Sequence, residues 1–140
     1  MAWTRPGRPN WICWAGDCRA YGVDPQTGVP TACTSDRTTA TCLVSKRVDP
    51  QAAAPFASRI RTSPADATPR AMDQLYVPAG HLVILTSDGV HDQVAADARE
   101  SLVREHQHDP RALVVSLVAA AAPDEEGYHD DATAVVLAPA

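Results

Sequence analysis

"LVILTSDGVHD", residues 82–92, sets an apolar run against a turn that carries two aspartates. Leu82, Val83, Ile84 and Leu85 are preceded by the turn pair Ala79-Gly80 and followed by Ser87-Asp88-Gly89. A short continuous apolar run between turn signals predicts a strand buried on both faces. The last residues of such a strand reach the rim of a core. Gly89 permits a sharp turn and a close approach to a ligand or another strand. Asp88 and Asp92, four apart, share one face if a helical turn follows. Converging carboxylates repel one another, so a cation, a basic side chain or a shared proton is expected between them. The plainer alternative is that Asp88 caps the following helix and Asp92 is a surface residue, since Asp is a common N-cap.

Length and charge bound the possibilities. A chain of 140 residues has the size of one domain with a real core. Its 12 Lys plus Arg are scattered among 17 Asp plus Glu, for a net charge of −5, so no basic stripe offers itself to a phosphate backbone and no nucleic-acid partner is expected. No apolar run approaches a membrane span, and residues 1–6 lack the apolar stretch of a signal peptide. No membrane partner is expected, and the expected location is cytoplasmic. Cys13, Cys18, Cys33 and Cys42 have neither CxxC spacing nor a His-rich companion motif, so they read as reduced thiols rather than as a zinc site or disulfide frame.

Outward from the central strand, residues 10–28 read as two strands with a tight connection: Trp11 to Trp14, an interruption at Ala15-Gly16-Asp17, then Ala20 to Val23. Residues 1–10 read as a tail and 11–140 as the domain. Thr34 or Ser35 is a candidate N-cap for a helix from about Asp36 to Arg47. Residues 48–70 carry much Pro, Ala and Ser and read as an irregular connection with at most one short helix around 51–60. Helices are expected over 95–107 and, opened by Pro110, over 110–122. Residues 132–137 read as a β-branched final strand with Asp130-Asp131 at its mouth. Three strand junctions thus present Asp, and carboxylate oxygens gathered from several loops suit a hard divalent cation such as Mg²⁺ or Mn²⁺.

Four segments, "WAGDCRAYGVD" (14–24), "CTSDRTTATCLV" (33–44), "GHLVILTSDGVHDQV" (80–94) and "GYHDDATAVVL" (127–137), resemble in order and spacing the later motifs of the PPM-type metal-dependent serine/threonine phosphatases, the protein phosphatase type 2C family. The family patterns are Gly-Asp-Ser-Arg-x-Tyr, Thr-x-Asp-His followed by Leu-Val, Ser-Asp-Gly-x-x-Asp, and Asp-Asn-x-Thr before a β-branched strand. The resemblance runs from about Trp11 to Leu137. It implies an α+β fold, the C-terminal part of an αββα sandwich of antiparallel strands with packed helices, lacking the family's N-terminal strands. It also implies that Asp17, Asp88, Asp92 and Asp130 are metal ligands, with Gly89 in the turn beside them. Asp88 and Asp130 would serve a central Mn²⁺ or Mg²⁺ pair, and Asp17 and Asp92 a looser additional ion. The implied activity is hydrolysis of phosphoserine or phosphothreonine by metal-activated water.

Departures from the family pattern sharpen these expectations. Cys18 stands where the family has serine, Arg37 where it has histidine and Asp131 where it has asparagine. The family's N-terminal arginine and Asp-Gly-x-Gly-Gly turn, which complete its two-metal site, have no counterpart in these residues, so an incomplete site is expected. Two function classes follow: a phosphatase chain acting on phosphoproteins once a complementary N-terminal chain supplies the missing ligands, or a catalytically inactive interaction module. Self-association is expected through apolar surface around Trp11–Trp14 and Leu82–Leu85. Of the histidines, His91 and His129 come nearest to the acidic motifs. Arg19 is expected to brace the Asp17 loop by an ion pair, and Trp11, Trp14 and Tyr21 to be core residues.

Overall fold

The computed structural model describes residues 1–61, 68, 72–123, 127 and 130–139. Strands β1 (Ala2–Trp3), β2 (Asn10–Trp14) and β5 (Asp73–Val77) form one antiparallel sheet in the order β1-β2-β5. A second antiparallel sheet orders β4 (Pro30–Ala32), β3 (Arg19–Val23), β6 (Leu82–Thr86) and β7 (Ala134–Leu137). The two strands expected over residues 10–28 are both present, and the corner at Ala15–Cys18 sends them into different sheets. Gly16 takes a left-handed φ of 92° at that corner, a conformation in which a Cβ is strained. The segment read as a tail includes β1, which pairs Ala2 with Ile12 and Trp3 with Trp11.

β6 explains why both sheets belong to one body. Its side chains alternate, as strand geometry requires. Leu82 and Ile84 join Tyr21 and Val23 in a cluster with Val103, Leu113 and Leu117 from α4 (Ala96–His106) and α5 (Pro110–Ala120). Val83, with Leu85 packed beside it, turns the other way and meets Ile12 and Val77 of the first sheet. The central strand is therefore buried on both faces, as its apolar run predicts: Leu82, Val83 and Ile84 are at most 5% exposed. This corrects the expectation of apolar surface at Leu82–Ile84, which the helices and the first sheet cover from opposite sides, while Leu85 stays half-buried beside an apolar slot. Tyr21 is core, whereas Trp14 is half-buried at the edge of the inter-sheet cluster and Trp11 lies on the sheet's other face.

The helices follow their capping chemistry. Pro110 at the first turn and the Asp109 carboxylate, which accepts from the Ala112 N–H at 3.0 Å, start α5. Asp49 caps α2 (Pro50–Ala53) in the same way, and a 3₁₀ turn over Ala54–Phe56 continues it inside the connection. Helix α1 is shorter than expected. It spans Thr39–Ser45 and its N-cap is Thr38, not Thr34 or Ser35. Asp36 lies ahead of it because its carboxylate is engaged elsewhere, by Arg19.

Candidate metal centre

The turn after β6 and the segment before β7 are joined by hydrogen bonds that explain how the acidic residues meet. Ser87 N–H donates to the Thr133 carbonyl at 3.0 Å. The Ser87 hydroxyl accepts from the Thr133 N–H at 3.0 Å and donates to the Asp131 carbonyl at 3.2 Å. With that hydroxyl engaged, Ser87 occupies the N-cap of α3 (Asp88–His91) without a side-chain capping bond. Asp88 is thus the first residue of the helix rather than its cap, and the Asp92 N–H closes the turn onto the Asp88 carbonyl at 2.9 Å.

Gly89 has a spatial role. A Cβ there would lie 2.6 Å from the Asp131 oxygen and 2.9 Å from its carbonyl carbon. The close approach to a neighbouring strand segment is real, while the residue is helical and has no left-handed φ. Gln93 adds a second clamp in the amide orientation that satisfies both of its ends: its nitrogen then donates to the Gly89 carbonyl at 3.1 Å and its oxygen accepts from the Asp130 N–H at 3.0 Å.

Asp17, Asp88, Asp92 and Asp130 line one cleft of about 550 Å³ together with Gly89, His91 and Asp36. All five site residues expected from the sequence therefore border the same space. Asp88 and Asp130 are held alike, each with one carboxylate oxygen accepting the N–H of the next residue, at 3.0 Å from Gly89 and 2.8 Å from Asp131. Among the described residues, no donor engages the second oxygen of either, which is left for a ligand. Asp92 projects outward, with its side chain 73% exposed, and its Oδ1 lies 3.3 Å from the buried His91 Nε2. His129 lies outside the described residues.

Charge at the cleft is only partly compensated. Arg19 makes two 2.8 Å bonds to Asp36, so its ion pair forms with Asp36 rather than within the Asp17 loop. That hydrogen-bonded pairing raises the Arg19 pKa, against the opposing effect of partial burial, and Asp92 contributes weakly in the same direction. Arg37 pairs with Asp73. Among the described residues, no lysine or arginine lines the cleft. The negative field is felt by Cys18, whose thiol is pushed up first by burial and then by Asp17 and Asp88.

Carboxylate oxygens match a hard divalent ion in kind. In number they fall short: among the described residues, no three His, Cys, Asp or Glu side chains gather closely enough to hold one metal. Sequence reasoning missed Asp36 as a wall of the cleft and Gln93 as its clamp. Asp36 was legible only as a helix residue, and Gln93 looked like any polar residue after a turn.

No protein-family model matches the sequence, and no curated protein matches it. Solved structures do. The serine/threonine phosphatase PstP/Ppp of Mycobacterium tuberculosis superposes with a TM-score of 0.67 at 24% identity, over 95% of this chain and 56% of that one. PppA, a regulatory component of the type VI secretion system in Pseudomonas aeruginosa, gives 0.66 at 25% identity, over 96% and 54%. The catalytic domain of PstP in complex with two manganese ions gives 0.55 at 24% identity, over 94% and 54%. The chain spans little more than half the length of these phosphatases. Across that span its two antiparallel sheets and packed helices have the fold of the PPM-type serine/threonine phosphatases.

Proposed function

We propose that the chain provides part of a metal-dependent phosphatase site for phosphoserine or phosphothreonine in proteins, and that it needs carboxylates from a complementary chain to work. The observation that carries this reading is the convergence of Asp17, Asp88, Asp92 and Asp130 on one cleft. In this reading the two sheets and the α4–α5 layer are three layers of an αββα sandwich. Asp88 and Asp130 would hold a central Mn²⁺ or Mg²⁺ through the oxygens their backbone bonds leave unused, and Asp17 and Asp92 a looser ion. A bound divalent ion there supplies Lewis acidity and neutralises charge on the phosphoryl group. The chain's own contribution is positional. The Ser87 and Gln93 hydrogen bonds hold the two carboxylate-bearing segments at a fixed separation, and the bonds to Gly89 N–H and Asp131 N–H aim the carboxylates. The cytoplasm is the location we assign, in keeping with four unpaired cysteines. No helix of the described residues is long and apolar enough to cross a membrane.

That the described residues offer too few ligands to close on one ion also favours a second reading, a catalytically inactive interaction module. Titration of the purified chain with Mn²⁺, following hydrolysis of a phosphothreonine peptide, separates the two. The chain alone is expected to bind Mn²⁺ weakly and turn over little or no peptide, because an ion with so few protein ligands keeps most of its water. Addition of a polypeptide carrying the family's N-terminal motifs should restore turnover that Asp88→Asn abolishes. Robust turnover by the isolated monomer would contradict the need for a complement. Absence of turnover with every complement would favour the inactive module.

A further inference from the structure

Asp88, His91 and Asp92 stand three and four residues apart on the single turn of α3 and its cap, a spacing that puts them on one side of it. All three line the acidic cleft. The two carboxylates have a part in the metal reading, and the imidazole between them has none. The His91 side chain is only 3% exposed. Its Nδ1 is enclosed and has no hydrogen-bond partner. Its Nε2 lies 3.3 Å from Asp92 Oδ1. Among the described residues, neither nitrogen makes an aligned hydrogen bond.

Burying an imidazole in this way costs stability, since water serves both nitrogens in the unfolded chain. An ion pair does not offset that cost. The Asp92 side chain is 73% exposed, pairs with so exposed an acid contribute little, and the contact leaves Nδ1 unserved. Packing does not account for the residue either, because a leucine fills similar space without burying a nitrogen. Buried side-chain atoms without a partner also occur on His81, Thr86 and Arg99, but of these residues only His91 belongs to the wall of the acidic cleft. A buried polar group left unsatisfied beside a cleft points to a water or an ion that completes it. The enclosure of Nδ1 is made by the chain's own atoms, so it does not depend on what covers the outer faces of the sheets.

With Nδ1 enclosed, Nε2 is the nitrogen that a ligand in the cleft meets. Two atoms bound side by side to one ion, each at about 2.0–2.2 Å, lie roughly 3.0–3.4 Å apart. The separation of His91 Nε2 and Asp92 Oδ1 falls in that interval. Given the metal reading of this cleft, on which the inference rests, we propose that His91 is a nitrogen ligand of the centre, holding one divalent ion together with Asp92. The ion beside Asp92 then differs in kind from one held by Asp88 and Asp130. Mg²⁺ is served by carboxylate and water oxygens, whereas imidazole suits Zn²⁺, Ni²⁺ and their neighbours such as Co²⁺. No third side chain among the described residues closes on the same ion, so water or carboxylates of the complementary chain fill its remaining positions.

The test is a pair of calorimetric titrations of the purified chain, with CoCl₂ and with MgCl₂, repeated on variants. His91→Gln is expected to weaken Co²⁺ binding by on the order of tenfold and Mg²⁺ binding by less than about twofold. Asp92→Asn should weaken both. The Co²⁺-loaded wild type should also show a hyperfine-shifted imidazole N–H proton resonance that exchanges slowly with water, because Nδ1 is enclosed. That resonance should be absent from His91→Gln. His91→Leu removes the buried nitrogen at similar volume. It should lose the resonance at a urea midpoint no lower than that of the wild type, which separates ligation from folding. Equal weakening of Co²⁺ and Mg²⁺ by His91→Gln would make His91 a structural support and overturn the proposal. So would Co²⁺ affinity unchanged by that variant, with Asp88→Asn and Asp92→Asn still effective, and in that case the metal reading itself would stand. Absence of saturable binding of Co²⁺, Mg²⁺ and Mn²⁺ to the wild type would overturn both.

Discussion

Gly89 faces the Asp131 carbonyl so closely that no side chain fits between them. Gly89→Ala is expected to destabilise the protein by about 1–3 kcal/mol, because the Cβ meets backbone rather than a flexible side-chain end. Urea unfolding measures this, and a loss below about 0.5 kcal/mol, the usual scatter of surface substitutions, would show that the two segments yield freely. Cys18 reports on the same neighbourhood electrically. Its thiol is raised by burial, then by Asp17 and Asp88, so near pH 8 it holds less thiolate than an ordinary cysteine and alkylates more slowly. Removing a negative neighbour lowers that pKa, and Asp17→Asn should speed iodoacetamide labelling of the Cys18 peptide, read by mass spectrometry. An unchanged or slower rate would mean that Asp17 does not act on the thiol. Asp17, Asp88, Asp92 and Asp130 could be picked out of the sequence because each stands beside a strand junction with a recognisable pattern. Gln93 could not, since a clamp made by one amide to two backbone groups leaves no periodic trace.

Among the elements, α5 is the clearest case of a helix held by one stripe. Leu113 and Leu117, four apart, are both fully buried in the cluster that also holds Tyr21, Val23, Leu82 and Ile84, while Val115 between them is 62% exposed. Leu117→Ala should cost about 2–5 kcal/mol, by lost burial and a residual cavity, and Val115→Ala under about 1 kcal/mol. Similar losses at the two positions, measured by denaturant midpoint, would mean that α5 is not anchored by this stripe. Helices α4 and α5 and strand β6 were legible from periodicity, Pro110 and the apolar run. The start of α1 was not. Asp36 is a good residue for a first helical turn, yet a bidentate bond to Arg19 holds it ahead of the helix, and the cap passes to Thr38. Local propensity yielded to a partner that sequence distance conceals. Likewise, nothing in residues 10–23 says that β2 and β3 join different sheets. That depends on β5 and β6, which pair with them from far along the chain.

At the scale of the molecule, each sheet has edge strands whose outer side meets no strand of the described residues. β7 is one, and Val135 on it is 44% exposed beside an apolar slot of about 390 Å³ that also borders Ile12 and Leu85. An open edge with an apolar side chain invites another strand, and a lysine there discourages it. Sedimentation of the purified chain is expected to show concentration-dependent association that Val135→Lys reduces. Identical sedimentation of the two proteins would remove β7 from consideration as the contact.

The pairing of β6 with β7 has a consequence in time. Helices α3, α4 and α5 all lie between these partners in the chain, so joining them closes a long loop, and non-local pairings of this kind fold slowly. Asp88 leaves the ribosome well before Asp130, and the two carboxylates stay apart until Ala134–Leu137 has zipped onto Leu82–Thr86. Bringing the two carboxylates together is therefore tied to the pairing of β7 with β6, and their mutual repulsion weighs on that step.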